Sequence, residues 1–170
     1  FEQLYDLRMV LETTAAHRLC EDGLRLGGKG GKVDNALLDE LVAIWLVPAA
    51  QRSTDTGQVS QWDEAFHCAL VAAAGNAEMA RVHRDVTDRI RIIRRLDFTK
   101  QARIDATYDE HAKILKAIQR KRGDQAAMLL APDQGFRQSL LRAIGRNVAT
   151  LAADMLHDWT EGDPPYARAI

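Results

Sequence analysis

The stretch VSQWDEAFHCALVAAA, residues 59–74, decides the fold class. Its apolar residues recur every three or four positions and form one stripe on a helical wheel. This stripe comprises Val59, Trp62, Phe66, Ala69 and Ala73. Asp63 lies about 60° from the centre of the stripe and His67 lies at its edge, so both side chains can reach a bundle interior. The stretch therefore predicts an amphipathic helix with two versatile polar side chains near its buried face.

Helical periodicity continues on both sides of this stretch, and no segment shows the alternation expected of strands. The first helix ends near Glu21, before the glycine run at residues 27–31. Its predicted core residues are Leu4, Leu7, Leu11, Ala15 and Leu19. A second helix is predicted from the N-cap Asp34, with Pro48 kinking or ending it. Further helices are predicted after Gly75-Asn76, from about Lys100 and from Gly123, with a break at Pro132 and a seam from Leu141 to Met155. The sequence thus predicts an all-α fold.

Composition restricts the class of protein further. The 170 residues are 46% hydrophobic, which suits one domain, and the formal net charge of -1 implies no general attraction to nucleic acid or anionic membrane. Cys20 and Cys68 are not in a metal-binding or disulfide pattern, which favours a reducing compartment. No apolar stretch is long enough to span a bilayer, and the first residues do not resemble a signal peptide. We therefore expect a cytoplasmic protein.

A further histidine, His111, lies in the apolar stripe of the predicted helix that begins near Lys100. A buried neutral histidine is the ordinary interpretation of such a residue, and an Asp–His pair four residues apart is ordinarily a surface pair. Together, however, one carboxylate and two imidazoles suit Zn, Ni, Fe or Mn, and three protein ligands leave positions open for a small molecule. Arg8 and Arg89 are either solvated or salt-bridged, Arg8 to Glu12 one turn on. If they are buried near the metal, they are instead placed to fork onto a carboxylate.

Several phrases in a fixed order carry a resemblance to a known family. They are Leu7 to Glu12, Asp63-Glu64-Ala65-Phe66-His67, Ala74-Gly75-Asn76, Glu110 to Ile118, and Gly123-Asp124. In this order, from about Leu4 to Gln134, the chain resembles the FCD domain, the effector-binding domain of FadR-type regulators in the GntR family.

The resemblance implies an antiparallel bundle of six to seven helices around a central cavity. It implies a divalent metal held by one Asp and up to three His, which match Asp63, His67 and His111 here. The family's third His has no counterpart, and Gln134 is the nearest substitute. An effector, usually a small carboxylate or other anionic metabolite, would bind on or beside the metal, and we expect it to contact Arg8, Arg89 and Asn76.

The resemblance also implies how the domain is organised and used. Residues 1–158 would form the effector-binding and dimerisation domain, and residues 159–170 a flexible tail. The N-terminal winged helix-turn-helix domain of the family is absent from this chain, so contact with DNA is expected only through such a separate domain. We expect a homodimeric regulatory domain without enzymatic activity. The alternatives are a small helical metalloenzyme that uses the three polar residues and a metal-free helical interaction module.

Overall fold

The fold is all-α, as the sequence predicts. The computed structural model describes residues 2–21, 33–95, 101–131 and 145 of the chain. Within these residues there are six α-helices, one short 3-10 helix and no strand. The helices are α1 (Glu2–Glu21), α2 (Asn35–Trp45), α3 (Thr56–Ala73), α4 (Ala77–Arg95), α5 (Gln101–Gln119) and α6 (Gly123–Leu130), and the 3-10 helix is Ala49–Gln51.

Polar side chains and one glycine set the starts of α2 and α3 and the end of α3. The Asp34 carboxylate accepts hydrogen bonds from the backbone N–H groups of Ala36 and Leu37 and caps α2. Asp55 caps α3 in the same way through Gln58 N–H. Gly75 adopts a φ of 72° after α3, a left-handed conformation that costs glycine little. The chain therefore turns within three residues and α4 packs against α3.

Helix α1 belongs to the compact unit Phe1–Pro132 and contacts α3, α4, α5 and α6. Helix α2 packs on α3 and α5. The largest fully buried side chains come from α2 to α5 and include Trp45, Phe66, Leu70, Ile90, Ile104, Tyr108 and Leu115. The packed helices thus surround the midpoints of α3 and α5 with apolar side chains.

The buried face of α1 differs from the predicted one. Leu7 was expected in the core but is 41% exposed, whereas Arg8 and Glu12 are only 2% and 3% exposed. The apolar residues of α1 are spread around the helix, so periodicity alone does not single out its buried side. Arg8 and Glu12 therefore form a buried ion pair on a helix whose buried face was predicted to be apolar.

Several sequence-based predictions lie outside the described residues. These are the glycine run, the proposed metal ligand Gln134, the seam from Leu141 to Met155 and the tail from residue 159. Among the helices that the structure describes, none is both long and apolar enough to cross a bilayer.

Candidate metal centre

Helices α3 and α5 bring Asp63, His67 and His111 together in the interior. Asp63 Oδ1 lies 3.2 Å from His111 Nε2 and 3.7 Å from His67 Nε2. One potential ligand atom from each residue lies within 4.8 Å of the other two. These residues, called the three-residue site below, join an i, i+4 pair on one helix to a residue on another.

The three side chains are almost completely removed from water. Asp63 and His111 are 1% and 2% exposed, and the His67 side chain is 12% exposed. Asp63 is buried because α3 presents the face that includes Val59, Phe66 and Leu70 to the core. His111 is buried because it follows Ile104 and Tyr108 on the inward face of α5. A carboxylate buried to this extent normally has a compensating charge or hydrogen bonds.

Aromatic side chains fix the orientation of the His111 ring. Its centroid lies 3.9 Å from that of Phe66 and 4.3 Å from that of Trp45, so α2 and α3 both contribute to its surroundings. The His67 and His111 rings are nearly perpendicular, at 88°, with centroids 5.3 Å apart. The His111 ring is thus packed between two aromatic side chains, with its Nε2 atom facing Asp63.

The donor set fits a divalent transition metal in chemistry and in spacing. Zn–N and Zn–O bonds of about 2.1 Å place two ligands of a tetrahedral ion about 3.4 Å apart. The 3.2 Å and 3.7 Å separations from Asp63 Oδ1 to the two imidazole nitrogens lie on either side of this value. One carboxylate and two imidazoles also suit Fe, Ni and Mn. The three-residue site could therefore hold an ion and leave coordination positions open.

A second buried group, called the Glu12 cluster below, consists of Arg8, Glu12 and His83. Glu12 Oε1 accepts a hydrogen bond of 2.5 Å from Arg8 Nε and lies 2.8 Å from His83 Nε2. Glu12 Oε2 lies 3.1 Å from Nδ1 of His67, which belongs to the three-residue site. His83 is fully buried on α4. One carboxylate of α1 thus contacts side chains of α3 and α4.

Burial alone would raise the pKa of Glu12, but the charge of Arg8 and the contacts with His67 and His83 outweigh it and hold this pKa well below its usual range. Burial lowers the pKa of His83, and the contact with Glu12 only partly opposes this shift. Glu12 is therefore an anion at neutral pH and His83 is a neutral imidazole. Since a carboxylate only accepts, His83 donates its Nε2–H to Glu12.

Arg8 has donor capacity that the described residues do not use. Its Nε atom is taken by Glu12, whereas Nη1 and Nη2 are buried without a hydrogen-bond partner among the described residues. Buried guanidinium N–H groups are normally paired because their desolvation is costly. A bound anion would satisfy both atoms, as a guanidinium fork binds a carboxylate in a bidentate way.

The other residues predicted to contact an effector lie elsewhere. Arg89 lies on the exposed side of α4 and is not part of either buried group. This position follows from the helix, since Val86 and Ile90 occupy the inward face of α4. Asn76 Oδ1 accepts a hydrogen bond from Met79 N–H and caps α4. Arg8 contacts Glu12, which in turn contacts the predicted ligand His67. Arg89 has no such link to the predicted ligands among the described residues.

Sequence reasoning missed Glu12 and His83 as part of the buried network. His83 did carry a signal, because Met79, Val86 and Ile90 place it in the inward stripe of α4, as Tyr108 and Ile114 do for His111. Glu12 carried none, since a Glu four residues after an Arg is most often a solvated pair.

Comparison with known proteins places this chain in a family. The Nta operon transcriptional regulator of Aminobacter aminovorans is 26% identical over 142 residues, which cover 83% of this chain and 61% of that relative. The chain thus spans about three fifths of the relative's length. No solved structure matches the chain. The FCD domain pattern matches residues 3–133, a range that includes α1 to α6 and both buried groups. The chain therefore belongs to the FCD domain family, as its sequence motifs predict.

Proposed function

We propose that this chain is the effector-sensing domain of a GntR-type transcription regulator of the FadR subfamily. It binds a small carboxylate or similar anionic metabolite on or beside a divalent metal, and this binding changes the affinity of the regulator for DNA. The observation that carries the proposal is the convergence of Asp63, His67 and His111, one carboxylate and two imidazoles, in a buried part of the bundle.

The proposed metal ligands are Asp63 Oδ1 and the Nε2 atoms of His67 and His111. Zinc is the preferred ion, with nickel, iron or manganese as alternatives, because all accept imidazole and carboxylate ligands. Gln134, which lies outside the described residues, is a proposed additional ligand. When bound, the ion supplies a Lewis-acidic position at which an anionic oxygen of the effector can bind.

Charge balance in the interior favours a singly charged effector. Among the described residues, the buried Asp, Glu, Lys and Arg side chains are Asp63, Glu12 and Arg8, which carry one net negative charge when Asp63 is ionised. A divalent ion would turn this into one net positive charge, which a monocarboxylate neutralises. Since unbalanced buried charge is costly, metal and carboxylate should each favour the binding of the other. The Nη atoms of Arg8, for which the described residues offer no hydrogen-bond partner, are the proposed second contact for the carboxylate.

The regulatory output is proposed from the relative, which is itself a transcriptional regulator. In this proposal the domain forms a homodimer, and a separate winged helix-turn-helix domain contacts DNA. An effector changes DNA affinity only if it binds one dimer arrangement more tightly than another, and the difference in free energy sets the size of the response. The role is therefore reversible binding without turnover.

Calorimetric titration with acetate, the simplest carboxylate, tests the sensor directly. We expect acetate to bind the zinc-loaded chain more tightly than the zinc-free chain by about 10-fold or more, the range of typical coupling between sites. Arg8→Lys keeps the charge but loses the fork, so it should weaken acetate binding, whereas the matched change Arg89→Lys on the exposed side of α4 should not. Equal acetate affinity with and without zinc, together with equal affinity in Arg8→Lys, would contradict the proposal.

A further inference from the structure

The contact between Glu12 and His67 links the two buried groups. His67 turns its two ring nitrogens toward different carboxylates, with Nδ1 3.1 Å from Glu12 Oε2 and Nε2 3.7 Å from Asp63 Oδ1. Glu12 is not one of the residues whose ligand atoms converge on a common point. It is therefore placed to act on the three-residue site through His67 and not as a ligand.

We propose that Glu12 is a positioning residue, whose carboxylate holds the proton of His67 on Nδ1 and so presents the Nε2 lone pair to a metal ion. This inference rests on the proposed function, in which His67 binds the ion. A metal-binding imidazole generally donates its other ring N–H to a carboxylate or carbonyl, which fixes the tautomer and makes the ring a better ligand. The distance of 3.1 Å from His67 Nδ1 to Glu12 Oε2 is within hydrogen-bonding range, although the contact is not aligned as a full hydrogen bond.

The position of the Glu12 carboxylate is itself fixed from two sides. Oε1 is engaged by Arg8 Nε from the preceding turn of α1 and by His83 Nε2 from α4. These contacts leave Oε2 to face His67. Arg8 and His83 thus prevent the carboxylate from turning away, and their burial means that water does not compete for it.

Glutamine at position 12 should reverse the tautomer of His67. Arg8 Nε can only donate, so the amide oxygen must take the place of Oε1, and the amide NH2 group then faces His67 Nδ1. Two N–H groups cannot pair, so the His67 proton must move to Nε2. The nitrogen nearest Asp63 then lacks the lone pair that a metal ion needs.

The first test reads the His67 tautomer in the metal-free, full-length chain by long-range proton–nitrogen-15 correlation NMR. The chain has five histidines, and the His67→Gln variant identifies the His67 signals by their loss. At about pH 8, where ordinary imidazoles are neutral, we expect the Nδ1–H form. An Nε2–H form in the wild-type chain would overturn the proposal, and this result requires no variant at position 12.

The second test measures zinc affinity by competition with a chromophoric chelator in Glu12→Gln and in a matched variant. Glu64→Gln makes the same chemical change on α3. It also takes a charged partner away from an arginine, because Glu64 pairs with Arg91 at 2.7 Å. We expect Glu12→Gln to weaken zinc binding by about 10- to 100-fold and to show the Nε2–H form of His67, while Glu64→Gln changes the affinity by less than about twofold.

The outcomes separate this proposal from the function on which it rests. If the wild-type chain binds zinc and a folded Glu12→Gln binds it equally well, Glu12 has no positioning role and the proposed function stands. If the wild-type chain does not bind zinc, the proposed function fails, and the tautomer measurement still decides whether Glu12 controls the His67 ring.

Discussion

At the scale of single residues, the Glu12 carboxylate is the point where three helices meet. It contacts Arg8 of its own helix, His67 of α3 and His83 of α4, and it is only 3% exposed. A buried anion of this kind depends on its partners, because removal of one of them leaves a charge in a medium that solvates it poorly. The same contacts that keep Glu12 ionised also connect α1 to the three-residue site.

Replacement of Arg8 by methionine should therefore destabilise the zinc-free chain. Because Glu12 would lose the one buried arginine that contacts it among the described residues, we expect the free energy of unfolding to fall by about 3 kcal/mol in urea denaturation. Arg81→Met is the matched control, since Arg81 pairs with Glu78 on the exposed surface of α4 and should change the stability by less than about 0.5 kcal/mol. Equal, small effects of the two variants would argue against a buried ion pair.

The pKa of His83 predicts a loss of stability in acid. Burial lowers this pKa below that of the unfolded chain, which is about 6.5, so the unfolded chain takes up a proton below this pH that the folded chain does not. As the pH drops from about 6.5 to the pKa of His83 in the folded chain, protonation of this residue should lower the free energy of unfolding by up to about 1.4 kcal/mol per pH unit. Above about pH 6.5, His83 should make no pH-dependent contribution.

The measurement is urea denaturation of the chelator-treated chain at several pH values, compared with His83→Gln, whose amide can still donate to Glu12. We expect the acid-induced loss of stability to be smaller in the variant. If the free energy of unfolding depends on pH in the same way in the two proteins, a lowered pKa of His83 does not cause the acid-induced loss of stability.

At the scale of helices, a few capping residues set where the elements that build the site begin. Asp34 caps α2, the helix on which Trp45 contacts the His111 ring. The backbone N–H of Asp34 also donates a hydrogen bond to the Ala73 carbonyl at the end of α3. This residue joins the start of one helix to the end of another. Its side chain should therefore matter more than its exposure suggests.

Asp34→Ala should lower the free energy of unfolding by about 1 kcal/mol, because two backbone N–H groups of α2 lose their acceptor. Urea denaturation measures the change. Asp39→Ala is the control, since Asp39 is exposed in the same helix beyond its first turn and alanine is a good helix former there. A cost for Asp39→Ala as large as that for Asp34→Ala would show that the effect is not capping.

For the whole molecule, metal binding should stabilise the fold. An ion that binds only the folded chain adds about 2.7 kcal/mol to the free energy of unfolding at a free concentration 100 times its dissociation constant. We expect this gain on addition of zinc to the wild-type chain, measured by urea denaturation. In Asp63→Asn, which keeps the size of the side chain but removes the charge, the gain should be largely lost.

The sequence predicts the helical fold from local periodicity, which also indicates that Asp63, His67 and His111 can face a bundle interior. That the three residues share one site is what the resemblance to the FCD domain implies. The sequence does not predict the buried side of α1, where Leu7 is exposed and Glu12 is buried. That choice depends on which neighbours each side chain meets, in this case His67 and His83 from helices distant in sequence. A charged pair one helical turn apart looks the same in sequence whether solvent or other helices surround it.

The claim that Asp63, His67 and His111 bind a divalent metal is tested most directly by the metal content of the purified chain, measured by mass spectrometry after incubation with zinc and gel filtration. We expect about one zinc per chain in the wild type and in His17→Ala, whose histidine lies on α1 with a side chain 40% exposed, and none in His111→Ala or Asp63→Asn. Retention of zinc in both His111→Ala and Asp63→Asn, or its absence from the wild type, would show that these three residues do not bind the metal.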